Sequence, residues 1–117
     1  MLFLLAVQDD DRFCMMRNNL KRCSFTAERA ETPEAALTAL EEGKCDGAVL
    51  CNDIPAFDVL SLIRKIRQEG VRMPLMVLDR IGDITFAIDC LEAGADDVMT
   101  LPINPAEFQA RSKAMMR

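Results

Sequence analysis

Cys51 stands where an acid would complete a cluster. It ends the apolar run from Gly47 to Leu50 and is followed at once by Asn52, Asp53, Ile54 and Pro55. A second apolar run, Leu2 to Val7, empties into Gln8, Asp9, Asp10 and Asp11. Neighbouring parallel strands that end side by side bring such acids together beside residue 51. Carboxylates gathered in this way are the ligands a hard cation such as Mg²⁺ takes, and that cation offsets charge in phosphoryl transfer. The nucleophile of such a pocket would be a carboxylate on the strand end, and here the strand ends in a thiol.

The thiol has a chemistry of its own, redox sensing, which requires thiolate character and exposure. Surrounding carboxylates disfavour the thiolate, so a structural thiol is the expectation at Cys51. Asp53, two residues on, is expected to face solvent and not to serve as a substitute acceptor. Cys14, Cys23, Cys45 and Cys90 have no better claim. Cys90 falls on a helical stripe and reads as core, whereas Cys45 precedes a strand and reads as partly exposed. Five cysteines with no CxxC spacing and no histidine speak against a metal site and fit reduced thiols in a cytoplasmic compartment. A hard cation still has Asp9, Asp10 and Asp79 as oxygen donors, but Gln8 and Cys51 weaken the set. No metal or cofactor is expected, and no constellation supplies nucleophile, base and electrostatic stabiliser together, so no enzyme is expected either.

The elements that position these residues follow from apolar spacing and punctuation. Leu2 to Val7 reads as a strand buried on both faces. A helix then carries Phe13, Met16, Leu20 and Cys23, capped by an Asp among residues 9–11. Phe25 to Ala27 reads as a short strand. Thr32-Pro33-Glu34 starts a helix that Gly43 stops. Gly47 to Cys51 is the third strand, and Val59, Leu60, Leu62, Ile63 and Ile66 stripe the helix after Pro55. Leu75 to Leu78 is the fourth strand, with a turn from Asp79 to Gly82. Asp83 caps a helix through Phe86, Ala87, Cys90 and Leu91, closed by Gly94. Val98 to Leu101 is a fifth strand before Pro102, and Asn104-Pro105 opens a last helix with Phe108 and Met115 on its apolar side. Strands alternating with helices predict an α/β fold of five βα units, a parallel sheet with helices on both faces.

One domain is expected from 117 residues. The net charge of −5 argues against a nucleic-acid clamp built from this domain, because backbone contacts need clustered Lys and Arg. The apolar start is too short for a span or a leader.

Taken together these residues resemble the CheY-like receiver domain of bacterial two-component response regulators over essentially the whole chain. The most specific stretch is GADDVMTLP, Gly94 to Pro102, with NPAEFQARSKAMMR after it. DGAVLCNDIP, Asp46 to Pro55, is similar to the phosphoacceptor strand and its exit. The likeness is greatest to the OmpR/PhoB subfamily, in which the receiver precedes a winged-helix DNA-binding domain. It implies a flavodoxin-like (βα)5 sandwich with sheet order 2-1-3-4-5. It also implies a degenerate, atypical pocket. Gln8 replaces the first pocket acid, while Asp9 is retained with Asp10 beside it. Cys51 takes the place of the phosphoacceptor aspartate, Asp79 that of the Thr or Ser after the fourth strand, and Leu101 that of the lysine before Pro102. Val98 takes the place of the switch aromatic.

The resemblance further implies a homodimer through the face made by the fourth helix, fifth strand and fifth helix. Its charged positions here are Asp96, Asp97, Glu107, Arg111 and Lys113, around an apolar patch. Two basic positions of the subfamily's fourth helix are Ala87 and Asp89 in this chain, so its charge network is incomplete. The leading expectation is a cytoplasmic, phosphorylation-independent pseudo-receiver, residues 1–117, forming the N-terminal part of a longer regulator. It regulates transcription through dimerisation and an attached DNA-binding domain, with no direct nucleic-acid contact and no membrane contact of its own. The alternatives are a stand-alone protein-binding adaptor and a sensor holding a small apolar ligand near Leu101 and Val98.

Overall fold

Continuous apolar runs must be covered on both sides, and this decides the layering. The computed structural model describes residues 1–80 and 82–117. Its strands are β1 (Leu2–Ala6), β2 (Thr26–Ala30), β3 (Gly47–Cys51), β4 (Leu75–Asp79) and β5 (Asp97–Thr100). They alternate with helices α1 (Asp10–Arg22), α2 (Pro33–Glu42), α3 (Val59–Gln68), α4 (Ile84–Ala93) and α5 (Pro105–Met115). The strands form one parallel sheet in the order β2-β1-β3-β4-β5, as expected. All five residues of β3 and all five of β4 are buried.

The pleat divides the core in two. Leu4, Ala6, Leu50, Val77 and Cys90 lie in one cluster, with Ile63 and Ile66 of α3. Phe3, Leu5, Val49, Cys51, Met76 and Leu78 lie in the other, with Met16 and Leu20 of α1 and Phe108 of α5. Alternating residues of one strand feed opposite faces, which is the period-2 geometry of a sheet.

Each helix begins on a side-chain cap that satisfies an otherwise orphaned amide. Asp9 accepts from the Arg12 amide at 2.8 Å, Thr32 from Ala35 at 3.1 Å and Asp58 from Ser61 at 3.0 Å. Asp83 accepts from Thr85 at 2.9 Å and Asn104 from Glu107 at 3.0 Å. Gly94 ends α4 at φ +126°, a backbone conformation open to glycine, with its carbonyl accepting from the Arg67 guanidinium.

Several boundaries differ from expectation. The second strand starts at Thr26, after Phe25, because its register on β1 is set by Leu2 facing Thr26. Arg29, a cation at a half-buried position, hid the alternation that marks an edge strand. Asp79 is the last residue of β4 and not the start of a turn, since β5 pairs with it through Thr100. Leu101 lies just past β5, although its amide still bonds the Asp79 carbonyl at 2.9 Å. Ile81, within the expected turn from Asp79 to Gly82, lies outside the described residues. Cys23 caps the end of α1, and Cys45 is buried, not partly exposed. Among the described residues no helix is long and apolar enough to cross a membrane.

Candidate functional site

Adjacent strands β1, β3 and β4 end at one edge of the sheet, and their exits make the floor of a cleft of about 470 Å³. Gln8, Asp9, Asp10, Arg12, Asp53 and Arg80 line it. Cys51 lies beneath, fully buried, because its side chain points into the core shared with α1 and α5. Burial pushes its thiol up to about 12, the Asp53 carboxylate adds to the rise, and the Arg12 guanidinium opposes it. The expected carboxylate effect is present but ranks behind desolvation.

Asp53 does not face solvent. Its side chain is only 6% exposed. One oxygen accepts from the Gln8 amide at 3.0 Å. The other accepts from the Asp9 amide at 3.1 Å and from Arg12 Nη1 at 2.7 Å. The same Arg12 nitrogen lies 4.0 Å from Cys51 Sγ. The chain leaves β3 and turns back toward β1, so the two loops hydrogen-bond across the cleft. A residue two positions beyond a strand end therefore points inward.

Arg12 escaped the sequence reading, yet a signal was there. A cation in the first turn of a helix opposes the helix dipole, and such a local conflict marks a partner outside the helix. Arg29 was missed too. It donates to the Val7 carbonyl at 3.2 Å and the Gln8 carbonyl at 2.6 Å, and pairs with Asp10 at 2.8 Å. Asp10 is thus drawn outward to β2, 87% exposed, away from Cys51. Asp9 faces its own helix as the α1 cap.

On the other side of Cys51, Asp79 is buried and accepts from the Asn52 amide group at 3.5 Å and from the Asp83 amide at 3.4 Å. Leu101 is buried in the α1/α5-side core, whereas Val98 packs against the core of the opposite face. Val98 and Leu101 thus serve different layers, as residues an odd number apart along a strand do.

The second candidate surface runs over α4, β5 and α5. Ile84, Ile88 and Leu91 are 72%, 48% and 46% exposed, at the i, i+4, i+7 spacing of one helix face. Leu91 thus turns out to solvent while its neighbour Cys90 is core. Arg111 pairs with Asp97 at 3.1 Å and with Glu107 at 3.1 Å, a triad within one copy that raises the guanidinium pKa. Asp96 is turned the other way, toward Arg67 on α3 at 3.3 Å and the Leu75 amide at 2.8 Å. Lys113 is exposed and forms no ion pair among the described residues. Three of the five charged positions read from the sequence come together, and two do not.

A five-stranded 2-1-3-4-5 sheet with acids and a buried residue at the exits of β1 and β3 is the frame of a two-component receiver. The chain belongs to the response regulator receiver domain family, whose model matches residues 4–113. This makes it a non-catalytic signalling module. It is 32% identical over 97% of its length to the alkaline phosphatase synthesis transcriptional regulatory protein PhoP of Bacillus subtilis (strain 168), covering 48% of that protein. It is 31% identical to the response regulator MprA of Mycobacterium ulcerans (strain Agy99), with 97% of this chain and 50% of that protein covered. These are OmpR/PhoB-type regulators, and the chain spans about half the length of each. In fold it is similar to a two-component response regulator from Clostridium difficile, with TM-score 0.90 and 23% identity, covering all of this chain and 96% of that one.

Receiver chemistry calls for a divalent cation held by carboxylates. The residues present do not fit one. Gln8 carries no charge, Asp9 is committed to an amide, Cys51 offers a buried neutral thiol, and Asp53 is neutralised by Arg12.

Proposed function

We propose that this domain is a phosphorylation-independent pseudo-receiver that regulates transcription by homodimerising. DNA is then contacted by an attached domain outside this chain. The observation that carries the reading is the altered pocket. A thiol of pKa about 12 replaces a carboxylate nucleophile. Leu101 supplies no cation for phosphoryl oxygens, and the buried Asp79 repels them. Val98 in place of an aromatic leaves no ring to relay the state of the pocket. The Ile84, Ile88 and Leu91 stripe beside the Asp97–Arg111–Glu107 triad supports a partner face on α4, β5 and α5. Exposed ion pairs contribute roughly 0–1 kcal/mol each, so the apolar stripe supplies the affinity and the charges supply register. The half-length coverage of the transcriptional relatives supports an attached output domain.

The test is to incubate the domain with Mg²⁺ and acetyl phosphate or beryllofluoride, then read intact mass and dimer fraction together. No adduct and an unchanged dimer fraction are expected. A phosphoryl adduct, or an analogue-driven rise in dimer, would overturn the reading.

A stand-alone adaptor docking a second protein on the same face is the competing reading. What favours it is α4, which carries Asp89 and Glu92 but no basic residue. An apolar stripe flanked on its own helix by acids alone suits a basic amphipathic partner helix. A domain that stays monomeric at high concentration yet binds such a peptide would favour the adaptor.

A further inference from the structure

Asp53 is the hub of the cleft. It receives two amides from the β1–α1 loop and one guanidinium from the first turn of α1. A carboxylate that is 6% exposed needs a counter-charge, and Arg12, itself 25% exposed, provides it at 2.7 Å. The guanidinium also overhangs Cys51, 4.0 Å from its sulfur. It therefore sits between the Asp53 carboxylate and the residue at the phosphoacceptor position, where a free cation would have to lie to join the two strand exits.

We propose that Arg12 is the resident cation of this pocket: its tethered guanidinium takes the place of a divalent metal, clamping the β1–α1 loop to the β3–α3 exit and excluding metal from it. This deepens the phosphorylation-independent reading by naming what holds the site together without Mg²⁺. Three features argue for it together. The cation occupies the first turn of α1, a position that the helix dipole favours for an acid. One nitrogen of its guanidinium donates to a carboxylate that also accepts from two main-chain amides. The remaining acids are diverted, Asp9 to the Arg12 amide and Asp10 to Arg29.

The experiment uses the intact domain, Mn²⁺ as probe, and amide NMR spectra. Wild type is expected to show no selective paramagnetic broadening of Gln8, Asp9, Asn52 or Asp53, and the same Tm in millimolar MgCl2 as in chelator. Arg12→Gln frees the Asp53 carboxylate. It is expected to lower Tm by about 5 °C or more and to gain broadening at those amides, with Mn²⁺ affinity raised about tenfold or more. Arg12→Lys keeps the charge and is expected to behave as wild type toward Mn²⁺. Selective broadening in the wild type would overturn the proposal, as would an Arg12→Gln variant that folds and binds Mn²⁺ no better. The wild-type titration decides metal exclusion alone, so the proposal stays refutable if Arg12→Gln does not fold. Mn²⁺ binding without any phosphoryl adduct would sink this inference while leaving the phosphorylation-independent reading intact.

Discussion

Cys51 holds its proton because ionising it would place a charge in a dry core beside the Asp53 carboxylate. The folded thiol titrates at about 12 and the ordinary one at 9.0. A raised pKa of this kind gives stability that is fully present below pH 9.0 and lost as pH climbs toward about 12. Denaturant midpoints taken across that window are expected to fall less steeply for Cys51→Ala than for wild type. Cys90, raised to about 11 by burial and by Asp79, acts in the same direction in both proteins and so cancels in the comparison. An alkylating reagent at neutral pH should mark exposed Cys14 first and reach Cys51 only on unfolding, as mapped by peptide mass. The neighbouring Asp53 carries more structural weight. Asp53→Ala strands two amides and a guanidinium at once, so a loss of about 2–4 kcal/mol is expected in urea titrations. A loss below about 0.5 kcal/mol would mean that water replaces the carboxylate without cost.

Among the elements, α4 is the one whose sequence is apolar on two sides. Phe86, Cys90 and Ala93 serve the core, and Ile84, Ile88 and Leu91 face out. Such an exposed stripe costs solubility, and in the proposed dimer it is the surface that the partner covers. Ile88→Glu is expected to leave folding stability within about 0.5 kcal/mol of wild type, since the side chain is half exposed. It is also expected to weaken self-association about tenfold or more, measured by sedimentation over a concentration series. Equal dimer constants for the two proteins would remove α4 from the interface. The Asp97–Arg111–Glu107 triad bridges β5 to α5 within one copy, so it pre-orients the rim of that surface before any partner arrives.

At the scale of the whole molecule, the charge balance bears on the proposed division between signalling and DNA contact. A domain of net charge −5, with Arg12, Arg29, Arg67 and Arg111 already engaged by acids, is a poor match for a phosphate backbone. Labelled duplex DNA at physiological salt should therefore show no change in anisotropy with this domain alone, up to high micromolar protein. A salt-sensitive rise would place a DNA contact within residues 1–117 and contradict the separation of signalling and output.

What the sequence determined by itself was everything that depends on local chemistry and period. Continuous apolar runs such as Ala48 to Cys51 and Leu75 to Leu78 called for a doubly covered parallel sheet, and the caps Asp9, Thr32, Asp83 and Asn104 marked helix starts that the structure keeps. The alternation of elements and the resemblance around Gly94 to Pro102 gave the strand order. Only the tertiary structure decided where charges on different elements meet. Asp53 reads as a loop acid until β1 and β3 are set side by side, when it turns inward onto Arg12, 41 positions away in the chain. Asp96 and Asp97 are neighbours in sequence, yet one is claimed by Arg67 of α3 and the other by Arg111 of α5. Val98 and Leu101 look like one apolar strand end, but the pleat sends them to opposite cores. Period and capping act over a few residues and are written in the chain. Ion pairing is nearly indifferent to sequence separation, so its partners are fixed only once the fold sets their distances.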